Sequence, residues 1–132
     1  MRVVVDTNVI ISGTFFGGKP GAVVDAIADG RVDASAPSSI LREYHEVIEE
    51  VIRKGYGHFD ASRFGSFVAK LELREPERNV EVCRDPDDDK FISCALGAKA
   101  VFIVSGDKDL LDIGSYEGVD IVTAAEFCGR YL

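Results

Sequence analysis

Arg2-Val3-Val4-Val5-Asp6-Thr7-Asn8 is the stretch of sequence that decides the fold. A continuous run of valines is typical of a strand that is buried on both faces, as in the interior of a parallel sheet. In such sheets, ligands bind just beyond the carboxyl ends of the strands. The pattern therefore predicts that Asp6 lies at the functional edge of the sheet.

A second apolar run, Val101 to Val104, ends in a similar way, in Ser105-Gly106-Asp107-Lys108-Asp109. If the two strands are neighbours at the point where the strand order reverses, Asp6 and Asp107 lie side by side. Mg²⁺ and Mn²⁺ prefer oxygen ligands, and carboxylates from separate elements must converge to hold them. The two strands therefore predict a site for a divalent cation.

The rest of the chain alternates short strands with amphipathic helices. Strands are predicted at residues 2–5, 32–36, 80–83, 101–104 and 119–122, with helices in the intervals. This alternation is typical of an α/β fold, here a three-layer αβα sandwich around a mostly parallel five-stranded sheet. A chain of 132 residues is expected to form one domain, residues 1–132.

Composition narrows the possible functions. The chain has a formal net charge of −8, so bulk positive charge does not hold a nucleic acid. Bound cations can nevertheless neutralise clustered carboxylates and become the local positive charge. The three cysteines lack a metal-type spacing and are expected to be reduced thiols in a cytoplasmic protein. The sequence predicts neither a signal segment nor a membrane span.

Two further acids are candidates for the same site. Glu43 lies on the apolar stripe of the helix that begins near Ser38, where a lone carboxylate needs a cation or hydrogen-bond donors opposite it. Asp89 precedes the helix that carries Phe91 and Ile92. Each has a structural interpretation as well, because Glu43 can reach solvent from the stripe and Asp89 can favour a helix N-terminus. Asp107 can likewise cap the turn that follows it.

Four motifs together resemble the PIN-domain family, in particular the VapC-type toxins of prokaryotic toxin–antitoxin pairs. They are Val4-Val5-Asp6-Thr7-Asn8-Val9-Ile10, Ile40-Leu41-Arg42-Glu43-Tyr44, Asp85-Pro86-Asp87-Asp88-Asp89-Lys90-Phe91-Ile92 and Ile103-Val104-Ser105-Gly106-Asp107-Lys108-Asp109-Leu110. The resemblance covers essentially the whole chain. One departure is Ser105, where the family commonly has threonine, and the hydroxyl is retained.

The resemblance implies a function, a site and partners. It implies a sheet order of 3-2-1-4-5 and metal-dependent hydrolysis of RNA phosphodiester bonds, with a small antitoxin and a second copy of the chain as partners. The implied ligands of Mg²⁺ or Mn²⁺ are Asp6, Glu43, Asp89, Asp107 and Asp109, with Asn8 and Ser105 as auxiliary residues. Asp89 is chosen over Asp87 and Asp88 because the apolar helix pattern begins immediately after it.

Other interpretations of the same residues remain open. Asp6 also fits an aspartate-based phosphatase, although that chemistry needs a second aspartate where this chain has Asn8. Gly13 to Lys19 spells the start of a phosphate-binding loop, but Pro20 replaces the hydroxyl residue that should follow. A non-catalytic module that binds RNA or a protein is the third alternative. The two histidines, His45 and His58, have no evident partner and are expected to be surface or structural residues.

Overall fold

The computed structural model describes residues 1–132 and contains one six-stranded sheet flanked by helices. The strands are β1 Arg2–Val5, β2 Asp33–Ala36, β3 Glu72–Leu73, β4 Phe102–Val104, β5 Ser115–Tyr116 and β6 Val119–Val122. The helices are α1 Thr7–Phe15, α2 Gly18–Ala28, α3 Ser38–Lys54, α4 Ala61–Lys70, α5 Asp89–Ala98, α6 Lys108–Ile113 and α7 Ala124–Tyr131. The predicted α/β class is confirmed.

The sheet runs in the order β3-β2-β1-β4-β6-β5, and all pairs are parallel except β5 with β6. The order reverses between β1 and β4, where Val5 pairs with Val104. The predicted order therefore holds, with a sixth strand added at one edge. Glu117 and Gly118 both have positive φ, the geometry that a two-residue hairpin loop requires, and they turn the chain from β5 into β6.

The third strand is not where the sequence predicted it. Residues 80–83 form no strand, and Glu72–Leu73 pairs with β2 instead. The N–H groups that a strand would use are occupied, because Val80 donates to Ser93 Oγ while Val82 and Cys83 donate to Asp89 Oδ1. The five-strand prediction is corrected to six, and the edge strand moves upstream.

The core holds the central strand β1 and helix α3 in place. The valines of β1 are at most 1% exposed, as the apolar run predicted. Tyr44 of α3 is fully buried, and its hydroxyl donates a hydrogen bond of 2.5 Å to the Val5 carbonyl. This bond ties α3 to the carboxyl end of β1, the same end at which Asp6 begins the next turn.

The helix boundaries follow ordinary capping chemistry. Gly55 ends α3 in the left-handed region with φ of 76°, which glycine adopts at little cost. Thr123 and Glu126 form a capping box at the start of α7. The second helix begins at Gly18, so Pro20 lies in its first turn, where its missing N–H is not needed. None of the helices is long and apolar enough to cross a membrane.

Candidate metal centre

Asp6 leaves β1 at the switch point of the sheet and caps α1. It is 5% exposed, and its backbone N–H donates to the Val104 carbonyl at 2.9 Å, which continues the pairing of β1 with β4. Its Oδ1 accepts the Asn8 N–H at 3.4 Å, and its Oδ2 accepts the Ser105 hydroxyl at 2.6 Å. The predicted juxtaposition of the two strand ends is therefore present, and both carboxylate oxygens have a defined orientation.

Ser105 links Asp6 to a second group of acids. Its oxygen accepts the Asp107 N–H at 3.0 Å while its hydroxyl donates to Asp6. Asp107 caps α6 by accepting the Asp109 N–H at 3.1 Å. Carboxylate oxygens of Asp88, Asp107 and Asp109 lie within 4.8 Å of one another. Asp107 and Asp109 were both predicted, and Asp88 was one of three acids between which the sequence pattern had to choose.

Asp89 accepts hydrogen bonds from the backbone of the preceding loop. Its Oδ1 accepts N–H bonds from Val82 at 2.9 Å and Cys83 at 2.7 Å, and it is 9% exposed. The single-turn 3₁₀ helix Pro86–Asp88 precedes α5 and directs Asp88 toward Asp107. The structure brings Asp88 into the acidic group and turns Asp89 toward the preceding loop.

Glu43 projects from α3 and is half-buried at the same edge. Its carboxylate accepts the Thr7 hydroxyl and forms an ion pair with Lys90, a residue of the first turn of α5. Its charge reaches Asp6, but Glu43 is not one of the three acids within 4.8 Å of each other. The donors predicted opposite Glu43 are thus Thr7 and Lys90, neither of which the sequence pattern singled out.

Comparison with known proteins agrees with this architecture. The sequence profile described as PIN domain matches residues 2–109, which span the whole acidic group. The chain belongs to the PIN domain family. The chain is also 35% identical over 117 residues to an uncharacterized protein of Methanocaldococcus jannaschii, covering 86% of this chain and 75% of that relative. No solved structure matches the chain at a significant level.

Membership gives the site a general chemistry. PIN domains are in general metal-dependent nucleases, so the family supports a hydrolase that acts on nucleic acid with a divalent cation. The carboxylates of this PIN domain fit such an ion, because Asp6, Asp88, Asp107 and Asp109 offer only oxygen ligands. The choice between Mg²⁺ and Mn²⁺ is open, since both accept this donor set.

The electrostatics of this PIN domain also favour a bound cation. Burial raises the pKa of Asp6, and the negative charges of Asp107 and Glu43 raise it further. Burial, a hydrogen bond with Asp107 and repulsion from nearby acids raise the pKa of Asp88 to about 7. Burial opposes ionisation of Asp89 too, but the N–H bonds from Cys83 and Val82 leave its pKa below the ordinary value. Asp88 and Asp6 therefore carry unfavourable negative charge, which a bound cation offsets.

Metal-free protein is expected to lose stability as pH rises from about 4 through about 7. The folded state binds the Asp88 proton more tightly than the unfolded state, so stability is greatest below the unfolded pKa of 3.8 and falls as pH approaches the folded pKa. Urea unfolding in EDTA at pH 5 and pH 8 measures this loss. Asp88→Asn should lose less stability between the two pH values than the wild type; equal losses would contradict the assignment.

The remaining sequence patterns lie outside the acidic group. Gly13 to Phe15 belong to α1, so the stretch that begins like a phosphate-binding loop is largely helical and does not directly follow a strand. His45 is exposed and packs edge-on against Phe64 at 5.2 Å. His58 lies in the loop before α4. Asn8 is exposed; its backbone orients Asp6, and its side chain lines a neighbouring cleft.

Proposed function

We propose that this PIN domain is a divalent-metal-dependent endoribonuclease that hydrolyses RNA phosphodiester bonds. The observation that carries the proposal is the convergence of Asp88, Asp107 and Asp109 within 4.8 Å, linked through Ser105 to Asp6. Carboxylates from β1, the turn before α5 and the start of α6 meet at the carboxyl ends of β1 and β4, where α/β folds bind their ligands.

The four aspartates are the residues that would hold the cation. A divalent cation at this place supplies Lewis acidity, lowering the pKa of water and offsetting charge on the phosphodiester. Ser105 fixes the orientation of Asp6 and of the backbone at Asp107, so the carboxylates need little reorganisation. Asp88 takes the place of Asp89 in this proposed ligand set, and Glu43 of α3 lies beside the set, paired with Lys90.

Two cations stand beside these acids and reduce the local negative charge. Lys90 pairs with Glu43, and Arg84 Nη1 lies 3.7 Å from Asp109 Oδ1. Arg84 is 78% exposed in its side chain, which leaves it accessible to a phosphate from solvent. Such local positive charge matters in a chain of net charge −8, because RNA is a polyanion. The presence of Lys90 and Arg84 beside the acids supports a nucleic-acid substrate despite the acidic composition of the chain.

Purified protein is expected to cut a pool of single-stranded RNA when Mn²⁺ or Mg²⁺ is present and to leave it intact in EDTA. Single-stranded DNA of the same sequences is the matched control, and it should be cut at least tenfold more slowly. Gel analysis of end-labelled substrates measures both. DNA cleavage at an equal or higher rate would reject the choice of RNA and retain a nuclease, whereas metal binding without any cleavage would favour the non-catalytic module.

The toxin role is a finer part of the proposal and rests on the motif resemblance. A small antitoxin and a second copy of the chain need an apolar surface, and Phe16 and Tyr56 are 70% and 64% exposed. The Phe16 ring packs on Gly57, the residue that follows Tyr56 in the chain, so closely that an added Cβ there would lie 2.9 Å away. The cysteines Cys83, Cys94 and Cys128 are free thiols, in keeping with a cytoplasmic protein.

Induced expression in a bacterial host without an antitoxin is expected to arrest growth. Asp107→Asn expressed at the same level should not, because it removes a carboxylate of the metal centre without changing the side-chain volume. Optical density and viable counts after induction measure the effect. Normal growth with soluble, cleavage-active wild-type protein would reject the toxin role and leave the nuclease proposal standing.

A further inference from the structure

A cleft lies beside Ser105, between the start of α1, the start of α7 and the loop after β4. It has a volume of about 290 Å³, at the small end of the range for ligand sites. Its polar lining consists of Asn8, Ser12, Ser105 and Thr123, and its apolar lining includes Val9, Pro20 and Ala124. The cleft is therefore sized for one small organic unit.

The lining of this cleft is uncharged. None of the eight residues around it is an acid or a base, although the chain as a whole has a net charge of −8. The cleft thus lacks both the carboxylates that a second cation needs and the cations that a free phosphate needs. Hydroxyl and amide groups around a partly apolar surface suit a neutral ligand that has hydrogen-bonding groups of its own.

Asn8 and Ser12 are the groups free to bind such a ligand. They lie four residues apart on α1, so they occupy the same face of the helix, one turn from each other. Neither the Asn8 amide nor the Ser12 hydroxyl makes a hydrogen bond within the protein, whereas the Thr123 hydroxyl is engaged with Glu126. Two unengaged polar groups on one wall give the cleft a defined hydrogen-bonding side.

The cleft is continuous with the acidic group. Ser105 lines it, and the same hydroxyl donates to Asp6 Oδ2 at 2.6 Å. Gly106, the residue before Asp107, lines it too, and a Cβ built there would meet nothing within 4 Å, so no neighbouring group crowds the backbone at this point. A ligand that extends from the carboxylates into the cleft meets charge at one end and neutral groups at the other.

We infer that this cleft binds the uncharged nucleoside next to the scissile phosphate, with Asn8 and Ser12 forming hydrogen bonds to it. The inference rests on the proposed function and names a part of the substrate that the acidic group does not touch. A ribonucleoside matches the lining, because its 2′-hydroxyl both donates and accepts hydrogen bonds and its base and sugar offer apolar faces for Val9 and Pro20. The Asn8 amide can donate and accept as well.

The test fills the cleft without altering a carboxylate. Ser12→Tyr places a ring in it, Ser12→Ala removes only the hydroxyl, and Ser66→Tyr makes the same change at an exposed position of α4. Cleavage kinetics on a short RNA are measured in Mn²⁺, together with the stabilisation that Mn²⁺ gives in thermal unfolding. Ser12→Tyr is expected to lower kcat/KM at least tenfold while the Mn²⁺ stabilisation stays at the wild-type value, and Ser66→Tyr should match the wild type in both.

The outcomes separate this inference from the proposed function. Wild-type protein that fails to cleave RNA in Mn²⁺ overturns both. Wild-type cleavage with an unchanged kcat/KM in Ser12→Tyr overturns the nucleoside cleft alone. If Ser12→Tyr also loses its Mn²⁺ stabilisation, Ser12→Ala decides: a raised KM with intact Mn²⁺ stabilisation supports the cleft, and wild-type kinetics reject it.

Discussion

Asp6→Asn is expected to reduce metal-dependent RNA cleavage by about 100-fold or more, since even outer-sphere changes at metal sites cost about 10- to 100-fold. The substitution keeps the size of the side chain, and the amide oxygen still accepts a hydrogen bond from Ser105 or from the Asn8 N–H. The substitution removes only the negative charge of Asp6, a residue that is 5% exposed and lies near the charges of Asp107 and Glu43. The loss of activity would therefore come from the charge and not from a change of shape.

The same substitution should make metal-free protein at least as stable as the wild type at pH 8. Burial and the neighbouring acids raise the pKa of Asp6, so its ionised form opposes folding above that pKa, and a neutral amide avoids this cost. Thermal unfolding in EDTA and in Mn²⁺ measures the effect, with Asp120→Asn on the exposed face of β6 as the matched control. Only Asp6→Asn should lose the Mn²⁺ stabilisation.

A result of the opposite sign would contradict this account of Asp6. If Asp6→Asn unfolds at a markedly lower temperature than the wild type in EDTA, the Asp6 carboxylate stabilises the fold, and its role is structural. If Asp6→Asn is stable and still cuts RNA at the wild-type rate, the acid at the end of β1 has no part in the reaction.

The second large effect separates two adjacent aspartates. Asp88→Asn is expected to lose about 100-fold in cleavage, because the Asp88 carboxylate lies within 4.8 Å of those of Asp107 and Asp109. Asp89→Asn is expected to keep its activity and to lose only part of the stability that Asp89 provides, because its amide oxygen can still accept the N–H bonds from Val82 and Cys83 without the charge that strengthens them. Rates of RNA cleavage in Mn²⁺ measure the difference between these isosteric variants.

Asp89→Ala completes the comparison by removing the acceptor itself. Two N–H groups then lose their partner, at a cost of about 1–3 kcal/mol in the free energy of unfolding for each that stays buried. Urea denaturation measures this cost, and cleavage by the folded fraction should remain close to wild type. Loss of activity in Asp89→Asn with retention in Asp88→Asn would reverse the assignment and restore the ligand chosen from the sequence pattern.

The sequence was sufficient for the parts of this fold that depend on local pattern. The valines of β1 and the apolar run of β4 are buried neighbours, and the topology of an α/β sheet then brings Asp6 close to Asp107. The capping box of Thr123 with Glu126 also depends on local sequence alone, because its two partners are three residues apart. These features follow from side-chain alternation and from residues close in the chain.

The errors arose where distant side chains decide the outcome. Residues 80–83 look like a strand, but Ser93 and Asp89 occupy their N–H groups, and both acceptors come from the helix that follows. The single 3₁₀ turn that directs Asp88 toward Asp107 is likewise invisible in the sequence pattern, and the choice between Asp88 and Asp89 as a ligand stays a prediction. The ion pair of Lys90 with Glu43 joins residues that are 47 positions apart. The apolar stripe of α3 therefore predicted that Glu43 needs a partner, but it could not identify Lys90 as that partner.

The most direct test measures Mn²⁺ occupancy and RNA cleavage in the same titration of the wild-type protein, with Asp107→Asn beside it. We expect the cleavage rate to rise in proportion to occupancy, to vanish in EDTA and to return when Mn²⁺ is restored, while Asp107→Asn loses both binding and cleavage. Cleavage that persists in EDTA, or that is undiminished in Asp107→Asn, would contradict a metal-dependent nuclease centre at this edge of the sheet.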